Sequence, residues 1–175
     1  MRFRLYHLFL LLLPFLLGSC RDVISDRPII TVSIEPLRYF VQSIGGDKFE
    51  VNTLVPAGVS PETYELTPQQ VVQTSDSRAY FCVGTLGFEQ ARLRKLTENA
   101  PNLLVVNTSD SIVLLQDDHS HNHSHPHVEG IDLHTWLSAT SGKQIAHNVL
   151  RALCQVDSAN AKFYQHRHDL SLIHI

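Results

Sequence analysis

Five histidines, His119, His121, His123, His125 and His127, alternate with small or polar residues directly after the pair Asp117-Asp118. Imidazole is a borderline ligand that suits Zn²⁺, Cu²⁺ and Ni²⁺, and a flexible run of it can wrap an ion in several interchangeable ways. The chemistry this pattern offers is metal capture with little geometric selectivity. Capture requires neutral imidazole, so it weakens as pH falls below about 6.5. A low-complexity linker is the plainer alternative, but alternating histidine tracts have few uses besides metal binding. A tight site instead needs ligands on rigid elements with oriented outer partners. His134 is the candidate for such a ligand, because it stands apart from the tract in an apolar segment, Ile131-Asp132-Leu133-His134-Thr135-Trp136-Leu137, that directly precedes a helix. Taken alone, the commoner role for such a residue is a satisfied, partly buried histidine. Cys82 and Cys154 lack a CxxC partner and are not offered as ligands; in an oxidising compartment they could bridge or stay as two buried thiols, and spacing does not decide.

The elements that must position these residues follow from periodicity. Ile29 to Ile34 is rich in β-branched residues and reads as a buried strand. Pro36 then opens a helix whose Leu37, Phe40, Val41 and Ile44 share one face, up to the stop at Gly45-Gly46. A second strand runs from Phe49 to Val55 and ends in the turn-rich loop Pro56 to Pro61. Thr67 as N-cap, Pro68 at the first helical position and Gln70 three residues after the cap form a capping-box signature. Ala79 to Val83 and Leu103 to Val106 read as strands three and four, with a helix over about Phe88 to Glu98 between them. The expected fold class is therefore α/β: a mainly parallel four-stranded sheet flanked by helices. Residues 117–129, with Val128 the one apolar side chain, are expected to form an exposed, disordered loop. A later helix carries the stripe Ile145, Val149, Leu150 and Leu153, and Asp157 reads as the N-cap of a further helix bearing Ala161, Phe163 and Tyr164.

The N-terminus bounds the compartment. Arg2 and Arg4 precede an apolar stretch from Leu8 to Leu17 and then Gly18-Ser19-Cys20. The stretch is shorter than the about 20 apolar residues of a membrane span and ends in small residues, as a signal peptide does. Leu17-Gly18-Ser19-Cys20 resembles a bacterial lipobox, with Cys20 lipidated as the new N-terminus. Residues 1–19 are then the signal peptide and 20–28 a tether, and the protein is extracytoplasmic, held to a membrane through the lipid on Cys20. Cleavage removes two of the 14 basic residues and none of the 17 acids, leaving a formal charge of −5. That balance excludes nucleic acid as a partner. The length suits one globular unit, expected to be a monomer.

Several segments in order resemble the zinc and manganese solute-binding proteins of ABC importers. They are Ile30 to Ile34, Ile44-Gly45-Gly46-Asp47, the run from Leu54 to Pro68, the His-rich loop, and the stretch from Gly130 to Ser138. The resemblance covers residues 29 to about 168, and a His-rich insertion at this location is typical of the zinc-specific branch. It implies two α/β lobes joined by a long helix, with residues 29–168 as the N-terminal lobe and the start of the inter-lobe helix. It also implies metal held in the cleft by ligands from both lobes. The family's first ligand, a histidine, falls on Glu62 here, and the second falls on His134; both follow the C-terminal ends of strands, where α/β sheets carry their binding loops. Glu62 is a harder ligand than imidazole and tolerates Mn²⁺ or Fe²⁺ better. Leu133 stands where the family usually has proline. The remaining ligands, a histidine and an acidic residue, belong to a C-terminal lobe beyond this chain, and residues 169–175 are expected to be a non-native tail, with no role for His174. The implied function is capture of Zn²⁺ as transported ligand and delivery to an ABC permease, without catalysis. The alternatives are a manganese or iron carrier of the same family, a zinc hydrolase, which lacks an HExxH helix or a supported Ser/His/Asp arrangement here, and a surface metal buffer that uses only the tract.

Overall fold

The sheet is built from four short strands, β1 (Ile29–Val32), β2 (Glu50–Thr53), β3 (Ala79–Cys82) and β4 (Leu104–Asn107), in the order β2-β1-β3-β4, all parallel. The structure, a computed structural model, describes residues 27–114 and 134–173. The signal peptide, Cys20, the tether up to residue 26, the histidine tract from His119 to His127 and His174 lie outside the described residues. Central strands must be apolar on both faces, and they are: Ile30, Thr31 and Val32 of β1 and all four residues of β3 are buried. The Thr31 hydroxyl in that set is satisfied by a buried hydroxyl–hydroxyl bond to Ser77 at 2.7 Å. The strands β1, β2 and β3 are shorter than the apolar runs that announce them, and β4 is shifted by one residue. The runs continue into the exits, where Ser33 N–H donates to Phe81 O at 3.0 Å and Val55 N–H to Ser33 O at 3.0 Å.

The helices are α1 (Glu35–Gly45), α2 (Pro68–Ser75), α3 (Gly87–Asn99), α4 (Ala139–Val156) and α5 (Ala161–Ser171), with 3-10 turns at Thr135–Leu137 and Ser158–Asn160. The right-handed rule for parallel crossovers assigns α1, which links β1 to β2, to one face of the sheet and α2 and α3, which connect in the opposite direction, to the other. In keeping with that, α2 packs with α3 while α1 packs with α4 and α5. Helices α4 and α5 join α1, and the apolar stripe Ile145, Val149, Leu150 and Leu153 is buried against Leu37, Phe40, Val41 and Ile44. Fully burying one such side chain contributes roughly 1.5–3 kcal/mol, so this interface fixes α4 on the sheet. Among the described residues no helix is long and apolar enough to cross a membrane.

Local signals act where the sequence places them. The Thr67 hydroxyl accepts from Gln70 N–H at 3.3 Å while Gln70 Oε1 accepts from Thr67 N–H at 3.0 Å, a complete capping box. Gly46 ends α1 at φ +60°, and a Cβ there would lie 3.0 Å from the Phe163 ring. One expectation is corrected. Asp157 ends α4 and stands at the N-cap position of the 3-10 turn before α5, but its side chain does not cap; its Oδ2 accepts from Asn160 Nδ2 at 2.7 Å and from the Tyr164 hydroxyl at 2.6 Å. The buried Tyr164 ring brings a hydroxyl within reach, which satisfies the carboxylate better than a backbone N–H of a 3-10 turn. Those two bonds hold the Asp157 carboxyl below the usual carboxylate range. The expected boundary between residues 168 and 169 falls inside α5, which continues to a buried Ser171.

Candidate metal centre

Because every strand is parallel, all four chain exits leave the same edge of the sheet. The chain runs outward from β1 to β2, then returns past β1 to β3 and β4, so the order reverses between β1 and β3. Open α/β sheets carry ligands in the crevice at that reversal. Glu62 sits on the exit of β2 and His134 follows the exit of β4, the two outer strands. At about 4.8 Å per strand spacing these exits start roughly 14 Å apart. Zinc–ligand bonds are only about 2 Å, so an ion shared by both side chains must lie over the β1 and β3 exits, with the two loops leaning inward.

The β2 exit is tied at its base and open at its tip. Leu54 and Val55 are buried and extend the ladder, and Leu66 is buried at the far end. Gln70 closes the base, its Nε2 donating to Leu54 O and to the Tyr64 hydroxyl at 2.8 Å each. Residues 56–60 and Glu62 itself are exposed, and Glu62 N–H makes only a long 3.4 Å bond to Ser60 Oγ.

The β4 exit is tied by buried side chains. Thr108 donates both its N–H and its hydroxyl to Cys82 O at 2.8 Å. Asn148, buried on α4, donates from Nδ2 to Thr108 O and to Asp110 O, both at 2.9 Å. Ser109 Oγ and Thr135 Oγ1, both buried, are 2.9 Å apart, which brings the segment of His134 back to the strand exit across 26 residues. His134 is exposed, immediately before the 3-10 turn, and its ring stands edge-on to Trp136 at 5.2 Å between centroids. The histidine is therefore a surface group on a buried mount, rather than a core residue.

Between them, the β3 exit holds a carboxylate that sequence reasoning passed over. Glu89, 2% exposed, accepts from Val83 N–H at 2.9 Å, Gly84 N–H at 2.7 Å and Leu86 N–H at 3.4 Å. Burial pushes its pKa above 4.5; the Ser33 hydroxyl and the three N–H groups oppose that, although Ser33 Oγ makes no hydrogen bond of ordinary geometry. Gly84 takes φ +92°, and any Cβ would collide with the Asn107 side chain, whose Oδ1 accepts from Ser109 N–H at 3.0 Å. A signal for Glu89 exists: an acid in the first turn after a Gly-containing exit is a helix-start feature. Nothing comparable marks Asn148 or Ser109, whose partners lie 26 to 40 residues away.

Burial also pushes the Cys82 thiol up to about 12, with the nearby Glu89 adding to it, and raises Cys154 as well. Both cysteines are free. Among the described residues no group of three His, Cys, Asp or Glu side chains could hold a metal ion.

A family model described as zinc-uptake complex component A, periplasmic, matches residues 30–171. A putative metal-binding protein of Chlamydia trachomatis is 30% identical over 159 residues, which cover 89% of this chain and 54% of that protein. The manganese ABC transporter substrate-binding lipoprotein PsaA of Streptococcus anginosus is 28% identical over 132 residues, 71% of this chain and 40% of that protein. Among solved structures, a ZnuA deletion mutant with zinc bound superposes with a TM-score of 0.74 at 34% identity, over 85% of this chain and 54% of that one. The chain spans about half the length of the curated relatives it matches, which corresponds to one lobe.

Proposed function

We infer the function from one premise: this chain belongs to the periplasmic zinc-uptake complex component A family. Its whole protein captures a divalent transition metal outside the cytoplasm, Zn²⁺ as the favoured cargo, and hands it to an ABC permease while tethered through Cys20. It binds and releases an ion and performs no catalysis. The described lobe supplies one wall of the cleft, with His134 as its principal ligand and Glu62 as a second. The observation that carries this reading is the mount of His134, an imidazole presented at the binding edge of the sheet by Thr135 and Ser109. His119, His121, His123, His125 and His127 act as an auxiliary capture loop of low selectivity.

One observation favours a second cargo. Glu62 is an exposed carboxylate on the β2 exit, and a carboxylate suits Mn²⁺ or Fe²⁺ better than imidazole does. The zinc name attached to the solved ZnuA neighbour and the manganese name of the streptococcal relative keep both cargos in view.

Ligand counting sets the test. In this chain most Zn²⁺ binding resides in the tract, so changing its five histidines to Ser should remove most of the ions titrated calorimetrically, while His134→Ala alone changes the total little. The weak binding left in the five-Ser chain should vanish on His134→Ala. Its persistence would sink the ligand assignment. Competition of Mn²⁺ against Zn²⁺ for that residual site separates the two cargos.

A further inference from the structure

We propose that Ser109 is a positioning residue for His134, acting through Thr135; the inference rests on the reading of His134 as a metal ligand. The two hydroxyls meet at 2.9 Å in a buried setting, Ser109 at 9% and Thr135 at 6% exposure. Burial makes the pairing consequential, because a hydroxyl that loses its partner inside protein has no water to replace it. Ser109 is itself held from three directions. Its N–H donates to Asn107 Oδ1 at 3.0 Å, and the carbonyls on either side of it, Thr108 O and Asp110 O, both accept from Asn148 Nδ2. Ser111, two residues on, adopts φ +64°, a left-handed turn that a non-glycine residue takes only when its surroundings impose it.

Thr135 transmits that fixity. It is the residue directly after His134, and Leu137 N–H donates back to His134 O at 3.1 Å, closing the 3-10 turn over the ligand. The Trp136 ring packs on the imidazole from within the same turn. Displacing the backbone that carries His134 therefore requires Thr135 to leave Ser109, and the Trp136 edge limits the ring that rides on it. Outer partners of metal ligands typically govern about 10–100-fold in affinity; Ser109 acts one bond further out, so an effect of about tenfold is expected.

The test uses the chain with the five tract histidines changed to Ser, so that the ring nitrogens of His134 can be followed by NMR during titration with ZnCl₂. Ser109→Ala should raise the zinc concentration for half-shift about tenfold, and Ser109→Thr should restore it to within about threefold, since it returns a hydroxyl. Without metal, Ser109→Ala should also reduce the displacement that the Trp136 ring imposes on the His134 ring protons. Thr135→Val removes the same bond from the other side and serves if Ser109→Ala does not fold. Unchanged titration and unchanged ring signals overturn the proposal, as does equal weakening by Ser109→Ala and Ser109→Thr. A parent chain whose His134 ignores zinc overturns the ligand reading instead, and the metal-free ring signals then decide whether Ser109 sets the ring's position.

Discussion

The exits of β2 and β4 leave the same edge of one sheet, yet they are built on different principles. The β4 exit is clamped from below by α4: Asn148 takes two backbone carbonyls, Thr108 returns twice to Cys82 O, and Ser109 meets Thr135. The β2 exit is held at its base by Gln70, just beyond a strand end bound by Arg38, and at its tip the Glu62 N–H makes a long bond to Ser60. A ligand on the first loop is fixed before an ion arrives. A carboxylate on the second must be ordered by the ion, or by whatever closes over it, and ordering a loop costs about 1–2 kcal/mol per residue. If both side chains bind the ion as proposed, the difference sets His134 to anchor and Glu62 to adapt.

The comparison breaks most visibly at Asn148. Asn148→Ala removes two bonds and leaves two carbonyls short of partners, so urea unfolding should show a loss of about 2–4 kcal/mol, with a weaker response of His134 to zinc. Gln70→Ala, the matching change at the β2 base, should cost about 1–2 kcal/mol through the lost cap and the freed Leu54 carbonyl, and should leave the His134 response unchanged. If the two variants lose stability equally and both blunt the zinc response, the exits are not mounted differently.

Glu89 sharpens the picture from the strand between. Its pKa is raised in the folded protein, so its contribution to stability is fully present below the ordinary value of 4.5 and is lost as pH rises through the folded value. The unfolding free energy of the parent should thus carry a declining component above pH 4.5 that Glu89→Gln lacks, on top of a uniform cost from setting an amide NH₂ against at least one of the N–H donors, Val83 when the amide oxygen keeps Gly84 and Leu86. Parallel pH profiles for the two would show that the carboxylate is not held against its burial.

The smallest effect is expected at Glu62. With no buried partner, Glu62→Ala should change stability by less than about 0.5 kcal/mol. In the five-Ser chain it should alter the zinc response of His134 by less than about threefold, since water replaces a single exposed carboxylate in an open site. A tenfold loss would mean that the β2 tip is as pre-set as the β4 exit.

Much of the fold was legible because its signals are local. The Thr67–Gln70 capping box needs four consecutive residues, the Gly46 stop needs one, and the stripe Ile145, Val149, Leu150, Leu153 declares its buried face through helical spacing alone. Alternation of such segments dictates a parallel sheet, and the parallel sheet dictates that both candidate loops emerge at one edge. Asp157 was misread because its type suits a cap, while its partner, the Tyr164 hydroxyl, is brought to it by packing seven residues on.

For this chain, then, sequence by itself determined the α/β class, the order of its elements, and that Glu62 and His134 follow strand exits. Tertiary structure decided the strand order β2-β1-β3-β4 that sets those loops on the outer strands. It also decided that Glu89 is a buried carboxylate in the crevice between them, and that Thr135, the residue after His134, meets Ser109 while Asn148 holds the carbonyls on either side of that serine. The physical reason is range. Periodicity and capping act over three or four residues, which a sequence displays, whereas a hydrogen bond across 26 or 40 residues exists only after hydrophobic burial has brought α4 and the returning chain against the sheet.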